Sequence, residues 1–131
     1  MMYLLDTNIL IYFFKGQGKV AEKLLETKPD ELAVSTITLF ELETGLRKLK
    51  GAQTRRRQLE AFLQVTQVLE FNRAAAIESA KVRASLESKG TPIGPLDNQI
   101  AGVALAHNAT LVTHNLREFS RVPKLRVEDW Y

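Results

Sequence analysis

Apolar positions along the chain switch repeatedly between the short, continuous runs of buried strands and the three-to-four spacing of helices. Tyr3–Leu5 reads as a buried strand, followed by a helix over Thr7–Lys15 and a second helical pattern over Lys19–Thr27. Pro29 and Asp30 precede another strand, Leu32–Ser35. Thr36–Leu49 then carries Leu39, Leu42, Leu46 and Leu49 as a helical stripe. After Gly51 the pattern predicts a basic helix from Thr54 to about Val65 and a strand over Thr66–Leu69. Asn72–Lys89 reads as a long helix stopped by Gly90 and Pro92. Pro95–His107 reads as a helix rich in small residues, before strands at Thr110–Thr113 and Leu125–Val127. Such alternation predicts an α/β fold with a mostly parallel sheet.

With 131 residues, 45% hydrophobic and 25% charged, the expectation is one globular domain spanning 1–131. The absence of cysteine excludes disulfide scaffolds, thiolate metal sites and cysteine nucleophiles. No apolar run is long enough to span a bilayer, and Asp6, Thr7 and Asn8 interrupt the N-terminal one. A cytoplasmic protein with no membrane association is expected. The net charge of +3 is unevenly spread. Arg47, Lys48, Lys50, Arg55, Arg56 and Arg57 occupy a window without an acid, leaving 12 basic against 15 acidic residues elsewhere. That window is either a solvated helix pair or a surface for phosphates.

The acids fall at junctions. Asp6 ends the first strand, Glu41 lies early in the helix after the second, Asp97 sits in a helical first turn, and Asn115 and Glu118 follow the fourth strand. Each has a local explanation as a helix cap or dipole partner, including Thr38-to-Glu41 and Asn115-to-Glu118 as capping boxes. Helical geometry alone leaves Glu41 and Glu43 equivalent. Ligand sites of open α/β sheets gather at the carboxyl ends of strands. If these junctions share one edge, each pair of charges about 5 Å apart repels by roughly 3 kcal/mol at an effective dielectric of about 20. Either protons stay on or a cation sits among them. Oxygen donors without His or Cys favour Mg²⁺ or Mn²⁺ over zinc, and beside a basic surface such a site suits phosphodiester hydrolysis.

The chain resembles a PIN-domain ribonuclease, and more narrowly the VapC toxins of toxin–antitoxin pairs. The matching segments are Leu4-Leu5-Asp6-Thr7-Asn8-Ile9, Glu41-Leu42-x-x-Gly45 and Gly90-Thr91-Pro92-Ile93-Gly94-Pro95-Leu96-Asp97 with Ile100-Ala101. Leu111-Val112-Thr113-His114-Asn115-Leu116-Arg117-Glu118-Phe119 and Arg126-Val127-Glu128-Asp129-Trp130 complete the set in the expected order. The resemblance implies a PIN-like three-layer α/β/α sandwich that binds Mg²⁺ or Mn²⁺ and hydrolyses RNA. Asp6, Glu41 and Asp97 would be core ligands, with Glu118 supplying a fourth acid and Asn115 standing where many PIN domains have aspartate. Thr7 and Asn8 would orient Asp6 and cap its helix, and Thr113 would act similarly. The resemblance also implies a VapB-like antitoxin, a homodimer and tRNA as the substrate class.

Two other classes share some of these features. An aspartyl-phosphate enzyme of haloacid-dehalogenase type would use Asp6 as nucleophile, although it wants a carboxylate where Asn8 stands. A non-catalytic nucleic-acid binder would use the basic window alone. His107 and His114 lack metal-ligand spacing and are expected to be structural or surface groups, and Trp130 to clamp the core rather than stack on bases.

Overall fold

The computed structural model describes residues 1–131 and orders its elements as the hydrophobic pattern predicts. Strand β1 (Tyr3–Leu5) leads into α1 (Thr7–Lys15) and α2 (Val20–Glu26), and a 3₁₀ turn at Pro29–Glu31 precedes β2 (Leu32–Ser35). Helices α3 (Thr36–Lys48) and α4 (Gln53–Val65) are followed by β3 (Gln67–Leu69). Helices α5 (Arg73–Ser88) and α6 (Pro95–Ala106) lead to β4 (Thr110–Val112), the one-turn helix α7 (Leu116–Phe119) and β5 (Val127–Glu128).

The five strands lie in the order β3-β2-β1-β4-β5, and every pairing is parallel. The chain builds outward from β1 through β2 to β3, then crosses back to lay β4 on the other side of β1. That reversal opens a crevice beyond the carboxyl ends of β1 and β4, where binding sites form in sheets of this kind.

Two apolar clusters, one on each sheet face, make the three layers. Leu4, Ala33 and Leu111 pack with Ala75, Val82, Leu86, Ile100, Val103 and Phe119, which come from α5, α6 and α7. Their strand neighbours Leu5, Val34 and Val112 pack oppositely with Ile9, Leu10, Val20, Leu24 and Phe62 from α1, α2 and α4. The alternation follows from successive strand side chains pointing to opposite faces. Trp130 is buried against the second cluster, its ring 5.1 Å from that of Tyr3 and its indole N–H donated to Glu128 Oε1 at 3.0 Å. It clamps the core, as expected.

Small residues in α6 permit close approach to α5. A Cβ on Gly102 would lie 2.7 Å from the Ala75 carbonyl oxygen and from Ser79 Cβ. Asn98 fixes the crossing by donating to the Ser79 carbonyl and hydroxyl, both at 2.9 Å.

Two expectations require correction. The last strand begins at Val127 rather than Leu125, because Lys124 takes a left-handed conformation (φ 66°) and the connecting turn uses up the next residues. The leucine stripe of α3 does not lie wholly in the core. Leu46 is buried and Leu39 and Leu42 half-buried, but Leu49 is 62% exposed at the helix end.

Candidate active site

Asp6 stands where β1 becomes α1. Its backbone N–H still continues the sheet, donating to the Val112 carbonyl at 2.9 Å. Its side chain begins the helix, with Oδ1 accepting from the Thr7 N–H at 2.8 Å. Oδ2 accepts from the Thr113 hydroxyl, also at 2.8 Å, across the crevice from the end of β4. The residue is only 4% exposed. Burial pushes its pKa up, the two hydrogen bonds oppose the shift, and the nearby Glu41 and Glu118 charges add to it.

Thr7 links this corner to α3. Its hydroxyl lies 2.7 Å from Glu41 Oε1 and 3.0 Å from the buried Thr38 hydroxyl. The cap of α3 is Ser35, whose hydroxyl oxygen accepts from the Thr38 N–H at 3.0 Å. The proposed Thr38-to-Glu41 capping box is therefore not formed, and Glu41 is free to face the crevice. Glu43 points elsewhere and forms a bidentate pair with Arg56, with N–O distances of 2.9 to 3.2 Å. That pair holds the Glu43 carboxyl below its ordinary pKa. The tertiary structure thus distinguishes two acids that helical spacing leaves equivalent.

On the far wall, Gly94 and Pro95 open α6 and place Asp97 in its first turn. Its pKa is raised to about 8, first by burial, then by a hydrogen bond with Glu118 and the charges of Asp6, Glu118 and Glu41. Asn115 caps α7 through Oδ1, which accepts from the Glu118 N–H at 3.4 Å, and its Nδ2 donates to Glu118 Oε2 at 3.2 Å. The Asn115 N–H donates to the Thr113 hydroxyl oxygen at 3.0 Å. A continuous set of hydrogen bonds therefore runs from Glu118 through Asn115 and Thr113 to Asp6.

Asp6, Glu41, Asp97 and Glu118 thus act electrostatically on one another around one crevice. They do not form a ready-made chelate, since no three acids or histidines are grouped as a metal cluster. Asp97 and Glu118 instead relieve the crowding by sharing a hydrogen bond. Pocket chemistry of this kind fits a hard divalent cation: every donor is oxygen, and a proton is retained where negative charge is most concentrated.

The remaining predicted residues divide. Thr113 orients Asp6 and Thr7 reaches both Asp6 and Glu41, but Asn8 is exposed and stays outside these hydrogen bonds. In the basic window, Arg56 is committed to Glu43 and the Arg55 guanidinium lies 5.3 Å from the Phe14 ring centre. Arg47, Lys48, Lys50 and Arg57 are exposed. His107 is structural, its Nδ1 3.0 Å from the Val103 carbonyl. Ser35 and Thr38 support the site; the sequence marks Thr38 only as a helix cap and does not single out Ser35. The same three-residue spacing that suggested the cap puts Thr38 and Glu41 on one helical face, where the Thr38 hydroxyl meets Thr7.

A family model for the PIN domain matches residues 3–125. The chain belongs to the PIN-domain family. Within it, the chain is 37% identical to the tRNA(fMet)-specific endonuclease VapC of Salmonella typhimurium, over 99% of this chain and 98% of that one. It is 38% identical to ribonuclease VapC2 of Rickettsia felis over the same shares. In structure it is similar to a chain of VapBC2 from Rickettsia felis bound to a DNA fragment from their promoter, with TM-score 0.92, 36% identity and full coverage of both chains. PIN-domain VapC nucleases generally depend on divalent metal. No helix of the protein is long and apolar enough to cross a membrane.

Proposed function

We propose that this PIN domain is a divalent-metal-dependent endoribonuclease, the toxin of a toxin–antitoxin pair, which hydrolyses RNA phosphodiester bonds and so inhibits translation. The observation that carries the reading is the meeting of four carboxylates, Asp6, Glu41, Asp97 and Glu118, at the carboxyl edge of β1 and β4. These four would hold the cation, Mg²⁺ or Mn²⁺. Asn115 has no charge to contribute and is occupied by its contacts to Glu118, so it serves as an orienting group. Bound there, the cation supplies positive charge that polarises a phosphodiester and lowers the cost of ionising water.

The chain's own residues do the positioning. Thr7 and Thr113 fix the Asp6 oxygens in place, and the Thr7 hydroxyl does the same for Glu41. These carboxylates are therefore oriented before any ligand arrives, which reduces the reorganisation needed during reaction. The Asp97 carboxyl holds the pocket's proton in the metal-free protein. Exposed Arg47, Lys48, Lys50 and Arg57 extend the surface with charges suited to an RNA backbone.

The substrate proposed is tRNA, supported by the tRNA(fMet)-specific endonuclease name of the Salmonella relative, and the partner a VapB-like antitoxin, supported by the VapBC2 structure. A homodimer is the proposed assembly. The aspartyl-phosphatase alternative is disfavoured because both Asp6 oxygens accept protein hydrogen bonds and an exposed amide, Asn8, stands where it needs a carboxylate. Incubating the purified protein, free of antitoxin, with total tRNA and Mg²⁺ or Mn²⁺ should yield discrete fragments whose ends can be sequenced. Phosphate release from small esters without RNA scission would support the phosphatase instead. RNA binding that survives chelation with no scission would leave only a binding module.

A further inference from the structure

Beside the acidic crevice, His114 is built into an arrangement that the acid site does not require. It lies between Thr113, which bonds Asp6, and Asn115, which bonds Glu118. Its own side chain leaves the strand end toward α1. There the imidazole stacks on Tyr131 with ring centres 4.2 Å apart and planes inclined by 23°, while Tyr12 meets both rings edge-on. Tyr131 is itself held. Its carbonyl accepts from the Lys19 N–H, its N–H donates to Asp129 Oδ1 at 2.9 Å, and its ring fills the space where Gly18 lacks a Cβ. The second oxygen of Asp129 lies 2.9 Å from His114 Nδ1. One carboxylate therefore fixes both members of the stack.

This fixes the tautomer. A carboxylate can only accept, so Nδ1 carries the proton and Nε2 of the neutral ring presents a lone pair. His114 remains exposed. At the rim of an RNA-cleaving crevice it offers an oriented hydrogen-bond acceptor, and the sugar of RNA differs from that of DNA by a 2′-hydroxyl able to donate to it. Consecutive α-carbons are about 3.8 Å apart, so His114 stands one residue from the groups touching Asp6 and Glu118. That spacing suits a nucleotide adjoining the cleaved bond rather than the reacting phosphate.

We propose that His114, oriented by Asp129 and stacked on Tyr131, contacts the substrate by accepting a hydrogen bond from the ribose 2′-hydroxyl of a nucleotide next to the scissile bond. This rests on the ribonuclease reading of the acid site. Asp129 is then a positioning residue that selects the acceptor tautomer.

The test uses a synthetic RNA spanning a site the purified protein cleaves, with single 2′-fluoro substitutions at the nucleotides flanking the bond. Fluorine preserves the ribose shape but cannot donate and accepts only weakly, so its penalty reports the hydroxyl's hydrogen bond. With the parental protein, one flanking position should lose roughly threefold to tenfold in kcat/KM, mainly through KM, as expected for one hydrogen bond. His114→Phe keeps an aromatic ring on Tyr131 and should cleave both RNAs equally at that position. Asp129→Asn keeps an oxygen for the Tyr131 N–H but presents an N–H to Nδ1, making Nε2 the donor. A 2′-O-methyl ribose there, which can accept but not donate, should then be tolerated better than by the parental protein. The proposal is overturned if no flanking 2′-fluoro slows the parental protein, or if the penalty persists unchanged in His114→Phe. Because the first criterion needs no variant, misfolding of His114→Phe does not protect the idea. Failure to cleave any RNA would instead remove the ribonuclease reading itself.

Discussion

The Thr7 hydroxyl meets Glu41 Oε1 at 2.7 Å while the Thr7 backbone N–H meets Asp6 Oδ1 at 2.8 Å, so a single residue aligns two acids from different elements. Thr7→Val retains the shape and the backbone bond but releases Glu41. Outer groups that orient ligands typically matter by about 10- to 100-fold in metal affinity or activity. The expected result is a cleavage rate reduced within that range and restored in part by higher Mn²⁺. Stability should fall by only about 1 kcal/mol, the net worth of a hydrogen bond. Rate against Mn²⁺ concentration, with a urea melt alongside, checks both.

Crowding of the acids makes the metal-free protein sensitive to pH. In the folded state Asp97 holds its proton up to about pH 8, whereas an unfolded aspartate loses it near 4. The folded form thus binds more protons between these values, and its stability declines as pH rises through that window. Asp6, also shifted upward, contributes in the same direction. Urea midpoints measured in chelator should drop from pH 5 to pH 8, and Asp97→Asn should flatten the slope. Saturating Mn²⁺ should reverse the trend, since a cation favours the ionised pocket.

The basic residues differ in how firmly they are held, Arg56 by a bidentate pair with Glu43 and the exposed Arg47 only by a 3.7 Å ion pair to the same carboxylate. Arg56 is paired with Glu43 and ties α4 to α3, so Arg56→Ala should lower the melting temperature more than it weakens RNA binding. Replacing Arg47, Lys48, Lys50 and Arg57 together should do the opposite. Each lost phosphate contact on a single strand should reduce the salt slope of log affinity by about 0.7. Filter binding across a salt series, in chelator to prevent cleavage, separates the two sets. An unchanged slope would return the four residues to a solvated face.

Much of this arrangement is legible in the sequence because its signals are local. The strand-to-helix step at Leu5-Asp6-Thr7 places an acid at a sheet edge, and the small residues of α6 announce a close helix crossing. The choice of Glu41 over Glu43 is not local. It depends on Arg56, thirteen positions on and brought back by the turn at Gly51. Ser35 likewise takes the capping role that the Thr38-to-Glu41 pattern suggested, since it ends β2 with its hydroxyl already against the first turn of α3. The exposure of Asn8 and Leu49 follows from which helix faces the sheet covers, a property of packing rather than of spacing.

Amide replacement of the four acids, followed by a divalent-metal titration of RNA cleavage, tests the central claim most directly. Asp6→Asn, Glu41→Gln and Asp97→Asn should each lower the rate by orders of magnitude while the protein stays folded. Glu118→Gln should raise the Mg²⁺ concentration needed, and Asn115→Ala should chiefly cost about 1 kcal/mol of stability through its lost cap. Chelator should silence the parental protein. Cleavage at the parental rate by all the amide variants in chelator would contradict the account, and a metal curve moved by Asn115→Ala but not by Glu118→Gln would exchange the roles of those two residues.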